Sequence, residues 1–141
     1  MPSKKKKDFA KIDTPSKVAM VAEWLDEKKA EGVMALDMKG LNRISEAMVI
    51  ATVTNVRHGQ GLADYLLDKA NDAKLEFFGM EGYRTGEWIL LDMNDVIVHL
   101  FQRTSREFFN LEGLWSKAPV LLDRRSDSPD AAAGAAQEED G

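Results

Sequence analysis

The spacing of apolar positions changes several times along the chain, and each change predicts an element. In TPSKVAMVAEWLDEKKAEG, Val18, Val21, Ala22 and Leu25 recur at helical spacing and form one stripe. Thr14 is placed to cap this helix, Pro15 suits its first position, and Gly32 suits its end. The pattern then contracts to the short apolar run GVMALDM, which reads as a buried strand from about Val33 to Met38. Ala47 to Thr54, AMVIATVT, repeats the signal with β-branched residues that favour a strand. Asn55 can cap a second helix running to about Lys74, with Leu62, Tyr65, Leu66 and Lys69 along one side. Gly59 and Gly61 weaken its first turns by about 1 kcal/mol each relative to alanine.

Period-two alternation takes over in EWILLDMNDVIVHLF, Glu87 to Phe101. Two extended runs flank Asn94, and Met93 to Asp95 offers turn chemistry, so a hairpin is predicted, with Glu81 to Gly86 as the loop leading in. Ile89, Leu91 and Met93 share one face of the first strand, and Trp88, Leu90 and Asp92 share the other. On the second strand Val96, Val98 and Leu100 oppose Ile97, His99 and Phe101. The wholly apolar face belongs under helices; the face with Trp88 and Asp92 has the composition of a protein-binding patch, or of a core tryptophan with a stray acid. Thr104 and Glu107 have capping-box spacing, which predicts a last helix through Leu114 with Phe108, Leu111 and Trp115 on one side. The order of elements predicts a single mixed-sheet α/β domain with packed helices, its sheet partly parallel.

Composition narrows the setting. A chain of 141 residues with 44% apolar content supplies one core, and no internal repeat is visible. No run approaches the roughly 18 apolar residues of a membrane span, and the lysines of MPSKKKKDFA are not followed by a secretory apolar stretch, so a cytoplasmic protein without membrane contact is expected. The net charge is −5. Lys4 to Lys7 are offset by the segment from Asp123, with six acids against two arginines, so the body between them carries the whole excess. An acidic body argues against broad binding to bare nucleic acid and suits a basic protein partner, or simply a soluble protein. The expected organisation is a flexible basic arm over 1–13, a domain over 14–122 and a disordered acidic tail over 123–141. The arm could touch RNA.

Candidate chemistry is thin. The absence of cysteine removes disulfides, thiol catalysis and thiolate metal sites. Asp92, Asp95 and His99 are close in sequence, but with His58 the only other histidine a transition-metal site is not indicated, and His99 reads as a half-buried imidazole bonded to a backbone or carboxyl group. Ser45, Ser105 and Ser116 lie near no nucleophile elbow, HGQG lacks the length and lysine of a phosphate loop, and Asp37 and Glu46 stand as single acids.

Read as a whole, GEWILLDMNDVIVHLFQRTSREFFNLEGLW resembles the signature of the ribosomal silencing factor family, through Trp88, Asp92, Asp95, Val96, Val98, His99, Phe101, Arg106, Glu107, Leu111, Glu112, Leu114 and Trp115. Upstream, Leu36 and Asp37, Val49 to Thr52, Arg57, His58, Leu62, Ala63, Asp64, Glu81 and Gly82 fit the same pattern, so the likeness spans about Lys29 to Pro119. Departures fall at Glu46 to Met48, Val53, Asn55, Met93 and Gly113, and none touches Trp88 or Asp92.

The resemblance implies a nucleotidyltransferase-like α/β fold used for binding rather than catalysis, with no cofactor and no metal. Active nucleotidyltransferases use a glycine-serine turn and clustered acids, and Val53 and Asn55 stand where relatives often have glycine and serine. It further implies attachment to the large ribosomal subunit through its protein fourteen (uL14), steric exclusion of the small subunit, and repression of translation. The expected partner-binding residues are Trp88 and Leu90 as apolar anchors, Asp92 as the acidic partner of basic side chains, and Met93 and Glu81 at the rim. A large-subunit assembly factor, or a magnesium enzyme using Asp37, Asp92 and Asp95, are the alternatives. Peripheral contact with ribosomal RNA and a homodimer are compatible with the same resemblance.

Overall fold

Helix α1 (Thr14–Glu27) buries the predicted stripe of Val18, Val21, Ala22 and Leu25. Its cap is Asp13, whose side chain accepts the Ser16 N–H, and not Thr14, whose hydroxyl is buried and donates to Glu46 instead. Nor does Gly32 end the helix. Lys29 takes a left-handed conformation (φ 64°), its N–H reaching the Asp26 carbonyl and that of Ala30 reaching Leu25. Gly32 lies inside strand β1 (Glu31–Asp37), at an irregularity in the pairing, also with positive φ.

The computed structural model describes residues 10–125 and gathers six strands into one sheet, ordered β3-β4-β5-β2-β1-β6. Strand β2 (Ala47–Val53) is buried along its whole length, as a central strand covered on both faces must be. Helix α2 (Val56–Asp72) is capped by Asn55, which accepts the His58 N–H at 2.8 Å, and ends as α1 does, on a left-handed lysine, Lys74. Strand β3 (Gly79–Glu81) ends on the first residue of the expected loop and pairs with β4 (Trp88–Asp92), which forms the predicted hairpin with β5 (Val96–Gln102). Among these six strands β2 and β5 pair in parallel and the other four pairings are antiparallel.

Beyond β5 the expected single helix is broken in two, α3 (Arg103–Phe109) and α4 (Leu111–Leu114). Asn110 sits left-handed between them (φ 47°), and its side chain caps α4 through the Gly113 N–H. The capping box is not formed, because the first turn starts at Arg103 with Gln102 in the cap position. Strand β6 (Val120–Asp123) then pairs with the outer edge of β1.

Two clusters hold the sheet. Helices α1 and α2 cover one face, burying Val49, Ala51, Ile89, Leu91, Met93, Val96, Val98 and Leu100. On the other face Met34, Leu36, Met48, Ile50 and Phe101 pack beneath Leu111, Trp115 and Trp88. Fully burying one such aliphatic side chain contributes roughly 1.5–3 kcal/mol. Lys4 to Lys7 of the expected basic arm and most of the expected acidic tail lie outside the described residues. At the borders, Ile12 packs on the core, the Ala10 N–H donates to the Lys74 carbonyl at 2.9 Å, and Asp123 belongs to β6.

Candidate functional site

Strand β4 lies one strand in from an edge, and its alternation sends each side chain to a different fate. Ile89, Leu91 and Met93 are fully buried beneath the helices. Trp88, Leu90 and Asp92 are half-buried on the opposite face. The antiparallel register sets Glu81 of β3 beside Leu90, and directly paired residues share a face, so exposed Glu81 borders the same surface. Met93 does not. Its side chain is 0% exposed under α1 and α2, and the expectation that it lies at the rim is corrected by the alternation that groups it with Ile89 and Leu91.

Trp88 sits in a ring cluster. Its centroid lies 4.9 Å from that of Phe101 below it and 4.6 Å from Phe109 of α3. Phe108 meets Phe109 edge-on at 5.0 Å. In α3 the residue turned inward is Arg106, and Phe108 is 81% exposed rather than on the inner side. Phe109, which sequence reasoning passed over, is the residue of α3 that reaches the patch.

His99 is buried opposite Leu90 in the strand register. Its partner is neither backbone nor carboxyl: the Trp88 indole N–H donates to its Nδ1 at 3.0 Å. Burial pushes the imidazole down to about 4, so the ring is neutral around pH 7.

The acids near the hairpin turn are engaged separately. Oδ1 of Asp92 accepts the Asn94 backbone N–H at 2.9 Å, tying the candidate acidic anchor to the turn. Asp95 pairs with the buried Lys17 at 2.5 Å, and Lys17 also reaches the Met93 carbonyl at 3.3 Å. Oδ1 of Asp37 accepts the Lys39 N–H. Asp37, Asp92 and Asp95 lie toward the end of the sheet where β2 and β5 begin, since Asp37 pairs with Ala47 and Asp92 with Ile97. Ligands of open α/β sheets usually bind at the opposite end, outside the carboxyl ends of parallel strands. The hollow there is lined by Glu31, Thr52, Thr54, Gln102, Arg103 and Thr104, and holds none of the three aspartates. Among the described residues no group of three or more histidine, aspartate or glutamate side chains is arranged around a common point for a metal ion.

Arg106 fixes the helix that carries Phe109. It is buried, donates from Nη1 to the Gly32 carbonyl at 2.8 Å and to Thr52 Oγ1 at 2.9 Å, and from Nε to Glu112 at 2.8 Å. One guanidinium therefore ties α3 and α4 to the two strands beneath them, and the aromatic shelf beside Trp88 is held from behind.

A sheet with helices on both faces, its histidine turned inward and a partly exposed strip formed by Trp88, Leu90, Asp92 and Glu81, has the build of a small mixed-sheet α/β domain. Comparison with known proteins gives this class its family. The family model described as "Ribosomal silencing factor during starvation" matches residues 11–141, and the chain belongs to the ribosomal silencing factor family. It is 38% identical over 97 residues to the ribosomal silencing factor of Halalkalibacterium halodurans, covering 69% of this chain and 83% of that one. A crystal structure of a protein from Chromobacterium violaceum superimposes with a TM-score of 0.69 at 31% identity, covering 76% of this chain and 88% of the other. A more distant relative, 24% identical over 102 residues, is the mouse protein named for mitochondrial assembly of the ribosomal large subunit; the match covers 70% of this chain and 45% of that protein. Among the described residues no helix is long and apolar enough to cross a membrane.

Proposed function

We propose that this chain represses translation by binding the large ribosomal subunit at its protein fourteen and occupying the surface that the small subunit would use. The observation that carries the reading is the strip on the open face of β4, where half-buried Trp88 and Leu90 stand beside Asp92 and Glu81 in a chain of the silencing family. Aromatic and aliphatic anchors ringed by acids suit a basic partner with an apolar centre, the usual anatomy of a specific protein contact. The mechanism needs no chemistry beyond occlusion: two bodies cannot share one surface. Trp88 and Leu90 are the apolar anchors, Asp92 faces basic side chains, and Glu81 lies at the rim. Co-sedimentation with purified large subunits tests this. Trp88→Ala combined with Asp92→Ala is expected to abolish the association, since truncating a central anchor costs about 2 kcal/mol or more; parental binding by a folded double variant would remove the site.

Large-subunit assembly is the second reading, favoured by the likeness to the mouse assembly protein. Deletion of the gene separates the two. Accumulation of immature large subunits supports assembly, whereas normal subunits that join too readily during starvation support silencing.

A further inference from the structure

Trp88 carries one hydrogen-bonding atom, and that atom points into the protein. The indole N–H donates to His99 Nδ1 at 3.0 Å. An indole nitrogen can only donate, so Nδ1 must present its lone pair and the imidazole proton resides on Nε2. His99 is 5% exposed and sits on β5 between Leu90 of β4 and Ile50 of β2, so its position is set by three hydrogen-bonded strands. Phe101, two residues along the same face, stacks with His99 and supports the indole from below, while Phe109 packs against it from α3. The indole is thus pinned at its polar edge by a hydrogen bond and elsewhere by rings.

We propose that His99 is a positioning residue for docking: it holds the Trp88 N–H inward, so that the indole meets its partner through carbon alone. This rests on the reading that Trp88 is an anchor. It also names the chemistry of what sits on it. The matching group on the ribosomal protein is an aliphatic side chain or a cation over the ring, not a hydrogen-bond acceptor. A histidine suits the task because it is a neutral acceptor flat enough to lie in the aromatic cluster. Without that acceptor, a buried N–H is left unpaired and the indole gains by turning its edge toward water.

The test uses the full chain, purified large subunits, and protein labelled with ¹⁵N at its tryptophans, with the Trp88 indole signal assigned by its loss in Trp88→Phe. The parent is expected to show a Trp88 indole proton that exchanges with water at least about tenfold more slowly than that of a free indole, as a hydrogen-bonded N–H does. In His99→Leu that proton is expected to exchange fast and subunit affinity to fall about tenfold, the equivalent of one lost hydrogen bond. His99→Asn, whose Oδ1 can replace Nδ1 as acceptor, is expected to restore slow exchange and to recover affinity to within about threefold of the parent. Parental affinity in a folded His99→Leu overturns the proposal, and so does loss of affinity in His99→Asn despite slow exchange. Should His99→Leu not fold, the parent decides: a Trp88 indole proton exchanging as fast as a free indole overturns it, and a protected one restored in His99→Asn supports it. Parental binding by Trp88→Ala would instead overturn the anchor reading itself, a result no His99 variant can mimic.

Discussion

Nζ of Lys17 lies 2.5 Å from Oδ1 of Asp95, joining the first turn of α1 to the turn of the β4–β5 hairpin across 78 positions of sequence. The ammonium is buried and, among the described residues, has only the Met93 carbonyl as a further partner, whereas the carboxylate keeps 26% of its surface in water. Loss of the acid therefore strands a buried charge, while loss of the lysine leaves a carboxylate that water can solvate. Asp95→Ala is expected to cost about 3 kcal/mol and Lys17→Met clearly less. Urea unfolding of both variants measures the order; equal losses would mean that burial of the lysine does not set the cost.

Two glycines respond to a methyl group with opposite signs. Gly86 has φ 75°, and a Cβ there would stand 2.6 Å from Val56 Cγ1, in the loop that delivers the chain to Trp88. Gly86→Ala is expected to destabilise by about 2 kcal/mol. Gly61 lies inside α2 with nothing within 4 Å of its would-be Cβ, so Gly61→Ala is expected to stabilise by about 0.5–1 kcal/mol. Thermal melts of the pair check both signs, and a Gly61→Ala variant less stable than the parent contradicts the exposed placement of that helix face.

Acid should weaken the fold through His99. A histidine titrates near 6.5 in an unfolded chain, and desolvation holds His99 down to about 4 in the folded one. Above both values the ring is neutral in either state and adds no pH dependence. Between them the unfolded chain takes up a proton that the folded chain refuses, so stability falls as pH drops from about 6.5 to about 4, then levels off. From pH 7.5 to pH 5 this loss is expected to be about 2 kcal/mol. Urea midpoints at both pH values in the parent and in His99→Asn isolate it from the carboxylates, since the variant lacks the imidazole; identical pH responses would rule out His99 as the source.

The hairpin was legible in the sequence because period-two alternation is a local property: the parity that groups Ile89, Leu91 and Met93 also tells which face each occupies. That parity already places Met93 on the face away from Trp88, beneath the helices. Other features depend on partners distant in sequence. Gly32 resembles a helix stop until the Arg106 guanidinium is seen against it; a Cβ at Gly32 would lie 3.1 Å from Nη1. The short strands β3 and β6 carry no period of their own and exist because β4 and β1 offer them an edge. Asn110 breaks a helical pattern that Phe108, Leu111 and Trp115 otherwise continue, and the contact of Phe109 with Trp88 joins α3 to a strand distant in sequence. The inward hydrogen bond of Trp88 joins two strands and could not be read from either alone.

The place of β6 bears on the order in which the chain is made. Strand β1 can pair with β2 early, but its other edge finds its partner only in Val120–Asp123, so it stays open until nearly the whole domain has left the ribosome exit. An open apolar edge is a template for another chain, and neighbouring ribosomes on one message hold identical nascent chains at close range. The four residues of β6 thus replace the seven-residue edge of β1 with a shorter one, leaving less template for pairing between sibling chains, on the kind of machine that the finished protein is proposed to restrain.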